Sequence, residues 1–234
     1  MNEDIFAGIQ KLTLLDFPGQ VACTLFTRGC NMRCPFCHNA SLVVRANEQK
    51  TYSNEEILSF LKKRQGVLDG VAITGGEPTL MPGLAEFMTQ GRGLGYKIKL
   101  DTNGTRPEVL KSIVRGGLVD YVAMDIKNCR EKYGETVGFD VSYDLSPIDE
   151  SIAFLLEGNV DFEFRTTVSR TYHTEEDIIK IGKWISGDER YFLQQFKDSG
   201  DIIGSQIEGY DEGTMKSLLD KILPFVPNAQ LRGV

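Results

Sequence analysis

An alternation along the chain constrains the fold more than any single residue does. Short, largely apolar runs recur: Val21 to Thr27, Val71 to Thr74, Lys97 to Asp101, Tyr121 to Ile126, Phe162 to Val168 and Tyr191 to Phe196. Their length and composition predict strands covered on both faces. Helical patterns fill the gaps. Ser53 and Glu56 have capping-box spacing ahead of Ile57, Leu58 and Leu61. Thr105 and Glu108 repeat it before Val109, Leu110, Ile113 and Val114. Ser146 stands before Pro147, a good first helical residue, and Thr174 leads into Ile178, Ile181 and Ile185. Asp211 opens a last helix through Met215, Leu218, Leu219 and Ile222, stopped by Pro224. Strands alternating with helices build right-handed βαβ units on a parallel sheet. Six units are too few for a closed eight-fold barrel, so an open sheet and a partial barrel both fit. No Pro-, Gly- or Ser-rich linker interrupts the pattern, so residues 1–234 read as one domain. Asn128 to Ser146 has little periodicity and reads as a long loop, a place where function concentrates.

The formal net charge of −7 argues against broad binding to nucleic acid or an acidic membrane, which needs a basic face. Met1 to Phe6 carries Glu3 and Asp4 and no apolar run, unlike a secretory leader. No stretch approaches the roughly 20 apolar residues of a membrane span. The expectation is a cytoplasmic protein with reduced thiols.

Five cysteines are present, and three of them form Cys30-x-x-x-Cys34-x-x-Cys37 just after the first strand. The C-terminal ends of parallel strands are where ligands bind in α/β folds. Three thiolates from one tight loop hold three corners of an iron–sulfur cube and leave the fourth iron open. The alternative is zinc, with His38, Cys23 or Cys129 as a fourth ligand. Cys23 lies inside a strand and reads as a small core residue, while Cys129 has no assignment.

The run Gly29-Cys30-Asn31-Met32-Arg33-Cys34-Pro35-Phe36-Cys37-His38-Asn39 resembles the signature of the radical S-adenosylmethionine enzymes. Among them it is closest to the activating enzymes of glycyl-radical proteins. The stretch Leu14-Leu15-Asp16-Phe17-Pro18-Gly19 is similar to the start of the anaerobic ribonucleoside-triphosphate reductase activating protein family. The resemblance runs from about Gly8 to the C-terminal strands. Taken with the alternation, it gives the expected fold: α/β, a partial (β/α)6 barrel with parallel strands.

Thr74-Gly75-Gly76-Glu77-Pro78 ends the second strand. Alone it is an ordinary Gly-rich turn. Beside the cysteines it resembles the family element that binds the amino group of the methionine moiety. Asp101-Thr102-Asn103-Gly104 ends the third strand and reads by itself as a turn with a helix cap. Asp125-Ile126-Lys127 ends the fourth and reads as a solvated charge pair. Together they place polar groups at one mouth. The resemblance implies a monovalent cation beside Asp101, Thr102 and Asp125, with Asn103 nearby and Lys127 near the carboxylate or ribose. Arg165 shares a face with Glu163 by the period-2 rule. It is either a cofactor contact, as in relatives, or a salt-bridge partner of Glu163 or of a neighbouring strand. Phe36 is either an adenine-packing aromatic or a hydrophobic plug. His38 is expected to support the site without ligating iron, and His173 to lie at the surface.

The implied chemistry is that of a [4Fe–4S] cluster and S-adenosylmethionine. An electron passes to the sulfonium, a 5′-deoxyadenosyl radical forms, and it takes a hydrogen atom from a backbone glycine of a glycyl-radical partner. The electron donor expected is a flavodoxin or ferredoxin. The second reading is a radical enzyme acting on a small molecule, as carboxy-deazaguanine synthases do. A zinc-binding interaction module is third.

Overall fold

The computed structural model describes residues 6–140, 142–187 and 190–234. The acidic N-terminal residues Glu3 and Asp4 lie outside these. Eight strands form one sheet in sequence order: β1 (Phe6–Thr13), β2 (Ala22–Thr27), β3 (Gly70–Gly75), β4 (Lys97–Thr102), β5 (Tyr121–Asp125), β6 (Asp161–Val168), β7 (Tyr191–Gln195) and β8 (Gln230–Arg232). From β2 onward every pairing is parallel, while β1 runs antiparallel to β2 at one edge. The six expected strands are β2 to β7. The two edge strands escape the sequence pattern because β1 is half-exposed and β8 has only three residues.

Consecutive parallel order with right-handed crossovers puts the connecting helices on one face. These are α1 (Ala40–Val44), α2 (Asn54–Arg64), α3 (Leu84–Gly93), α4 (Pro107–Arg115), α5 (Tyr133–Thr136), α6 (Ser146–Leu156), α7 (Glu175–Trp184) and α8 (Glu212–Ile222). The result is a partial barrel. Ser53 and Glu56 close a capping box on α2, and Thr174 with Asp177 does the same for α7. Asp211 caps α8. The Thr105 box does not form. Pro107 sets the first turn of α4, Arg106 is the cap, and Thr105 turns its hydroxyl to Asn103. The segment read as a loop, Asn128 to Ser146, contains a 3₁₀ turn and α5, and its Val141 lies outside the described residues.

Pleating sorts the side chains. Leu25, Ile73, Leu100 and Val122 are register neighbours on the helix-covered face and are fully buried. On the inner face the neighbours are Thr24, Ala72, Lys99 and Tyr121. At the N-terminal end of the strands, Phe17 is buried with Ala22 and Tyr121. A Cβ on Gly70 would lie 2.8 Å from the Phe17 ring, so glycine makes room for this plug. Asp16 accepts a hydrogen bond from the Thr24 hydroxyl. The stretch Asp16 to Gly19 thus closes one end of the barrel, and the other end stays open.

Candidate active site

The C-terminal strand ends enclose a cavity of about 230 Å³. Its wall includes each residue expected to hold the cluster or contact the cofactor: Cys30, Cys34, Phe36, Cys37, Gly75, Gly76, Glu77, Asp101, Thr102, Asn103, Asp125, Lys127 and Arg165. It also includes residues the sequence reading missed, among them Met32, Asn39, Thr167 and Gln194. Thr167 and Gln194 are register partners on β6 and β7 at the level of the mouth, a placement visible only once strand register is known.

The cysteine loop is held from several sides. Asn103 Nδ2 donates to Asn31 Oδ1 at 2.9 Å, and Asn31 Nδ2 donates to Thr105 Oγ1 at 2.9 Å. Asn39 Nδ2 donates to the Gly75 carbonyl at 2.9 Å. The segment after β7 straps the same loop: Asp201 accepts from the Ser41 hydroxyl at 2.7 Å, and Gly204 N–H donates to the Pro35 carbonyl at 2.8 Å. His38 stacks on Phe196. Cys34 is buried and Cys30 and Cys37 are half-buried. Burial pushes the Cys34 thiol up to about 12 and the Cys30 thiol up to about 11, so both stay protonated until a metal displaces the proton.

Gly75 and Gly76 have a steric reason. Gly75 has φ +111°, and a Cβ on Gly76 would lie 1.8 Å from the Gly29 carbonyl oxygen. The turn therefore rests backbone to backbone on the cysteine loop, with Glu77 N–H donating to that carbonyl at 2.8 Å. Glu77 is buried and accepts from Thr79 N–H, Thr79 Oγ1, Thr102 Oγ1 and Asn103 N–H. Burial pushes its carboxyl up, against four donors that favour the ionised form.

Arg165 bridges two carboxylates: Nε donates to Asp125 Oδ1 at 3.0 Å and Nη1 to Asp101 Oδ2 at 3.3 Å. Lys99 pairs with Asp101, and Lys127 Nζ lies 3.0 Å from Asp125 Oδ2. Burial acts to raise both carboxyls, but the cations outweigh it. Arg165 and Lys99 hold Asp101 below its ordinary range, and Arg165 and Lys127 hold Asp125 down at about 2. The candidate residues for a monovalent cation, Asp101, Thr102 and Asp125, have protein partners as well: Lys99, Arg165 and Lys127 meet the two carboxylates, and Thr102 donates to Glu77. Of the salt-bridge partners expected for Arg165, the neighbouring strand β5 supplies one in Asp125, while Glu163 is held by Arg232 and Tyr121.

His173 departs from its expected surface position. It is fully buried: Nδ1 accepts from Ser169 N–H at 3.2 Å and Nε2 donates to the Lys127 carbonyl at 2.7 Å. Burial pushes its pKa down, so it is neutral. With Tyr172 it braces the buried Phe36 ring from behind. Cys23 lies in the core as expected, and Cys129 is buried with its thiol 3.4 Å from Asp177 Oδ1.

Among the described residues no three His, Cys, Asp or Glu side chains converge on a single-ion position. Three thiols on one cavity wall therefore suit separate corners of a cluster better than one zinc. No helix among the described residues is long and apolar enough to cross a membrane.

A partial barrel with a cysteine-rich mouth defines a class, and comparison with known proteins agrees. Residues 24–185 match the radical SAM superfamily model, and the chain belongs to that superfamily. It is an enzyme, and its cofactors are a [4Fe–4S] cluster and S-adenosylmethionine, which sets aside the zinc module. A Methanocaldococcus jannaschii protein with the provisional name glycyl-radical enzyme activating enzyme is 32% identical over 241 residues, covering 98% of this chain and 96% of that protein. The 7-carboxy-7-deazaguanine synthase of Koribacter versatilis is 29% identical over 65% of this chain and 63% of that protein. Streptococcus suis SuiB bound to S-adenosylmethionine superposes with a TM-score of 0.68 over 88% of this chain at 15% identity, a likeness of fold. This chain spans 48% of SuiB.

Proposed function

We propose that this single-domain chain activates a glycyl-radical enzyme, with anaerobic ribonucleotide reductase as the partner. The observation that carries the reading is the backbone contact of Gly76 on Gly29, which puts Glu77 and the three cysteines on one cavity wall. Near-full-length similarity to a protein named as such an activating enzyme supports it. Cys30, Cys34 and Cys37 hold three irons of the cluster. Glu77, with the Gly75–Gly76 backbone, takes the amino group of S-adenosylmethionine. Lys99, Arg165 and Lys127 outnumber Asp101 and Asp125, and the surplus charge at Lys127 suits the methionine carboxylate or the ribose. Thr102 and Asn103 hold Glu77 in place, and Phe36 packs against the adenine. When bound, the two cofactors supply reductive cleavage of the sulfonium and hydrogen-atom abstraction. The protein orients the sulfonium, excludes water and leaves the mouth open for a glycine-bearing loop of the partner. A flavodoxin or ferredoxin supplies the electron.

A second reading is supported by the deazaguanine synthase similarity: abstraction from a small molecule. The deciding experiment mixes the anaerobically reconstituted protein with reductant, S-adenosylmethionine and the candidate reductase. A glycyl electron paramagnetic resonance signal that is lost in Cys34→Ala supports activation. 5′-Deoxyadenosine release with no glycyl signal from any candidate partner, but with turnover of a deazapurine precursor, moves the assignment to the second reading.

A further inference from the structure

Two residues of the cavity wall, Phe36 and Lys127, are joined through a third that lies behind it. His173 sits in the turn between β6 and α7 and is fully buried. Two backbone groups fix its ring. Ser169 N–H donates to Nδ1 at 3.2 Å, so the proton sits on Nε2, which donates to the Lys127 carbonyl at 2.7 Å. The main chain of His173 is tied as well: its N–H donates to the Ser169 carbonyl at 3.0 Å, and its carbonyl accepts from the Tyr210 hydroxyl at 2.7 Å. The imidazole lies 5.7 Å from the Phe36 ring, tilted by 59°.

The bond to Lys127 falls where β5 leaves the sheet. Ile126 is still bonded to β6, through its N–H to the Arg165 carbonyl at 2.8 Å and its carbonyl to Thr166 Oγ1 at 2.7 Å. One residue further on, His173 becomes the anchor, and Asn128 Nδ2 donates to the Tyr172 carbonyl at 3.0 Å. Tyr172 and His173 thus grip the chain at the point from which the Lys127 side chain reaches the cavity. An apolar side chain would fill the space behind Phe36 without taking two ring nitrogens out of water. The imidazole adds what an apolar plug lacks, a hydrogen bond from the support of Phe36 to the backbone of Lys127.

We propose that His173 is a positioning residue for S-adenosylmethionine: it holds Lys127 at a set spacing from Phe36, so that the ammonium meets the methionine carboxylate while the adenine packs on the ring. The proposal rests on the S-adenosylmethionine reading of the cavity. It assigns Lys127 to the carboxylate rather than the ribose, because the carboxylate is the one anionic group of that ligand and Lys127 ends the chain of alternating charge.

The test is equilibrium binding to the anaerobically reconstituted protein, with the cluster left oxidised so that nothing is cleaved. Two probes are compared: S-adenosylmethionine, and 5′-methylthioadenosine, which keeps the adenosine and lacks the amino acid. His173→Phe keeps a ring against Phe36 and loses both hydrogen bonds. It is expected to weaken S-adenosylmethionine about tenfold, the scale of one hydrogen bond, and to leave 5′-methylthioadenosine within about twofold of wild type. His173→Gln keeps a donor for the Lys127 carbonyl and loses the ring. It is expected to lower both affinities and to keep their wild-type ratio. Lys127→Met is expected to lower that ratio at least as far as His173→Phe does, which keeps the proposal testable if a His173 variant fails to fold. A merely structural role lowers both affinities by one factor in His173→Phe and overturns the proposal, as does an unchanged ratio in Lys127→Met. Both outcomes leave the reading of the cavity standing. A wild-type protein that binds neither probe overturns the two together.

Discussion

Leu25, Ile73, Leu100 and Val122 lie side by side beneath the helices, while one residue away along each strand Thr24, Ala72, Lys99 and Tyr121 face the barrel interior. The first set is a packed apolar layer. The second continues toward the mouth as a chain of alternating charge through Asp101, Arg165, Asp125 and Lys127. The comparison teaches that a strand buried on both faces need not be apolar on both. The helix side needs packing. The inner side needs charges that neutralise each other first and leave a surplus for a ligand second.

Adjacent residues of β6 test the comparison most severely. Phe164→Ala is expected to cost about 3–5 kcal/mol of stability and to leave S-adenosylmethionine affinity unchanged at low temperature. Arg165→Met is expected to destabilise the chain as well, because two half-buried carboxylates lose their bridge, and to abolish that affinity. Denaturant unfolding of the metal-free chain and equilibrium binding to the reconstituted protein separate the two, and equal effects on binding would break the distinction. Replacing the inner charges together (Lys99→Met, Asp101→Leu, Asp125→Leu, Lys127→Met, Arg165→Met) is expected to leave stability unchanged or raised by about 1–4 kcal/mol, with no cofactor binding. A large further loss of stability would show that the charges hold the fold.

Acid probes the inner face through Asp125. A carboxyl whose folded value lies below its unfolded one stabilises the chain above the unfolded value and loses that contribution as pH falls through the folded one. For Asp125 the window runs from the ordinary carboxylate value, near 4, down to about 2, and the contribution lost is about 2 kcal/mol. Unfolding measured at pH 5 and pH 2.5 is expected to show this loss in the wild type and a flatter dependence in Asp125→Asn. The smallest effect belongs to the outer layer's rim, where Ser53→Ala opens the α2 capping box at a cost of about 1 kcal/mol, read as a small drop in melting temperature with unchanged cofactor binding.

Much of this was legible because it is local. The six parallel strands are short and apolar, and three caps are written in residues three apart: Ser53 with Glu56, Thr174 with Asp177, and Asp211 with Thr214. Helix α3 carries no such signal, since its cap is Gly83 at φ +80° with no side-chain bond. The cavity wall was legible because cysteines, glycines and charges end successive strands. What those charges pair with was legible only in part: the Asp125–Lys127 pair reads from the sequence, and the bridge through Arg165 does not. Lys99 and Asp101 share a face of β4 by strand alternation, so that pair is local, whereas the Arg165 bridge joins Asp101 of β4 and Asp125 of β5 from β6, across strands that no spacing rule connects. His173 reads as a polar residue ahead of a helix; its burial depends on two backbone groups, at Ser169 and Lys127, that no spacing rule connects.

The strap from Asp201 and Gly204 to the cysteine loop sets an order of events during synthesis. Ser41 and Asp201 are separated by 160 residues. At ribosomal rates the cysteines leave the exit tunnel roughly 10–30 s before their last structural support is made. The frame around the cysteine loop is therefore complete only once Asp201 is made, and a nascent or truncated product ending before it carries all three thiols without that strap. Such products are the form of this protein most open to oxidation and mispairing, which ties the yield of active enzyme to how completely translation runs in a reducing environment.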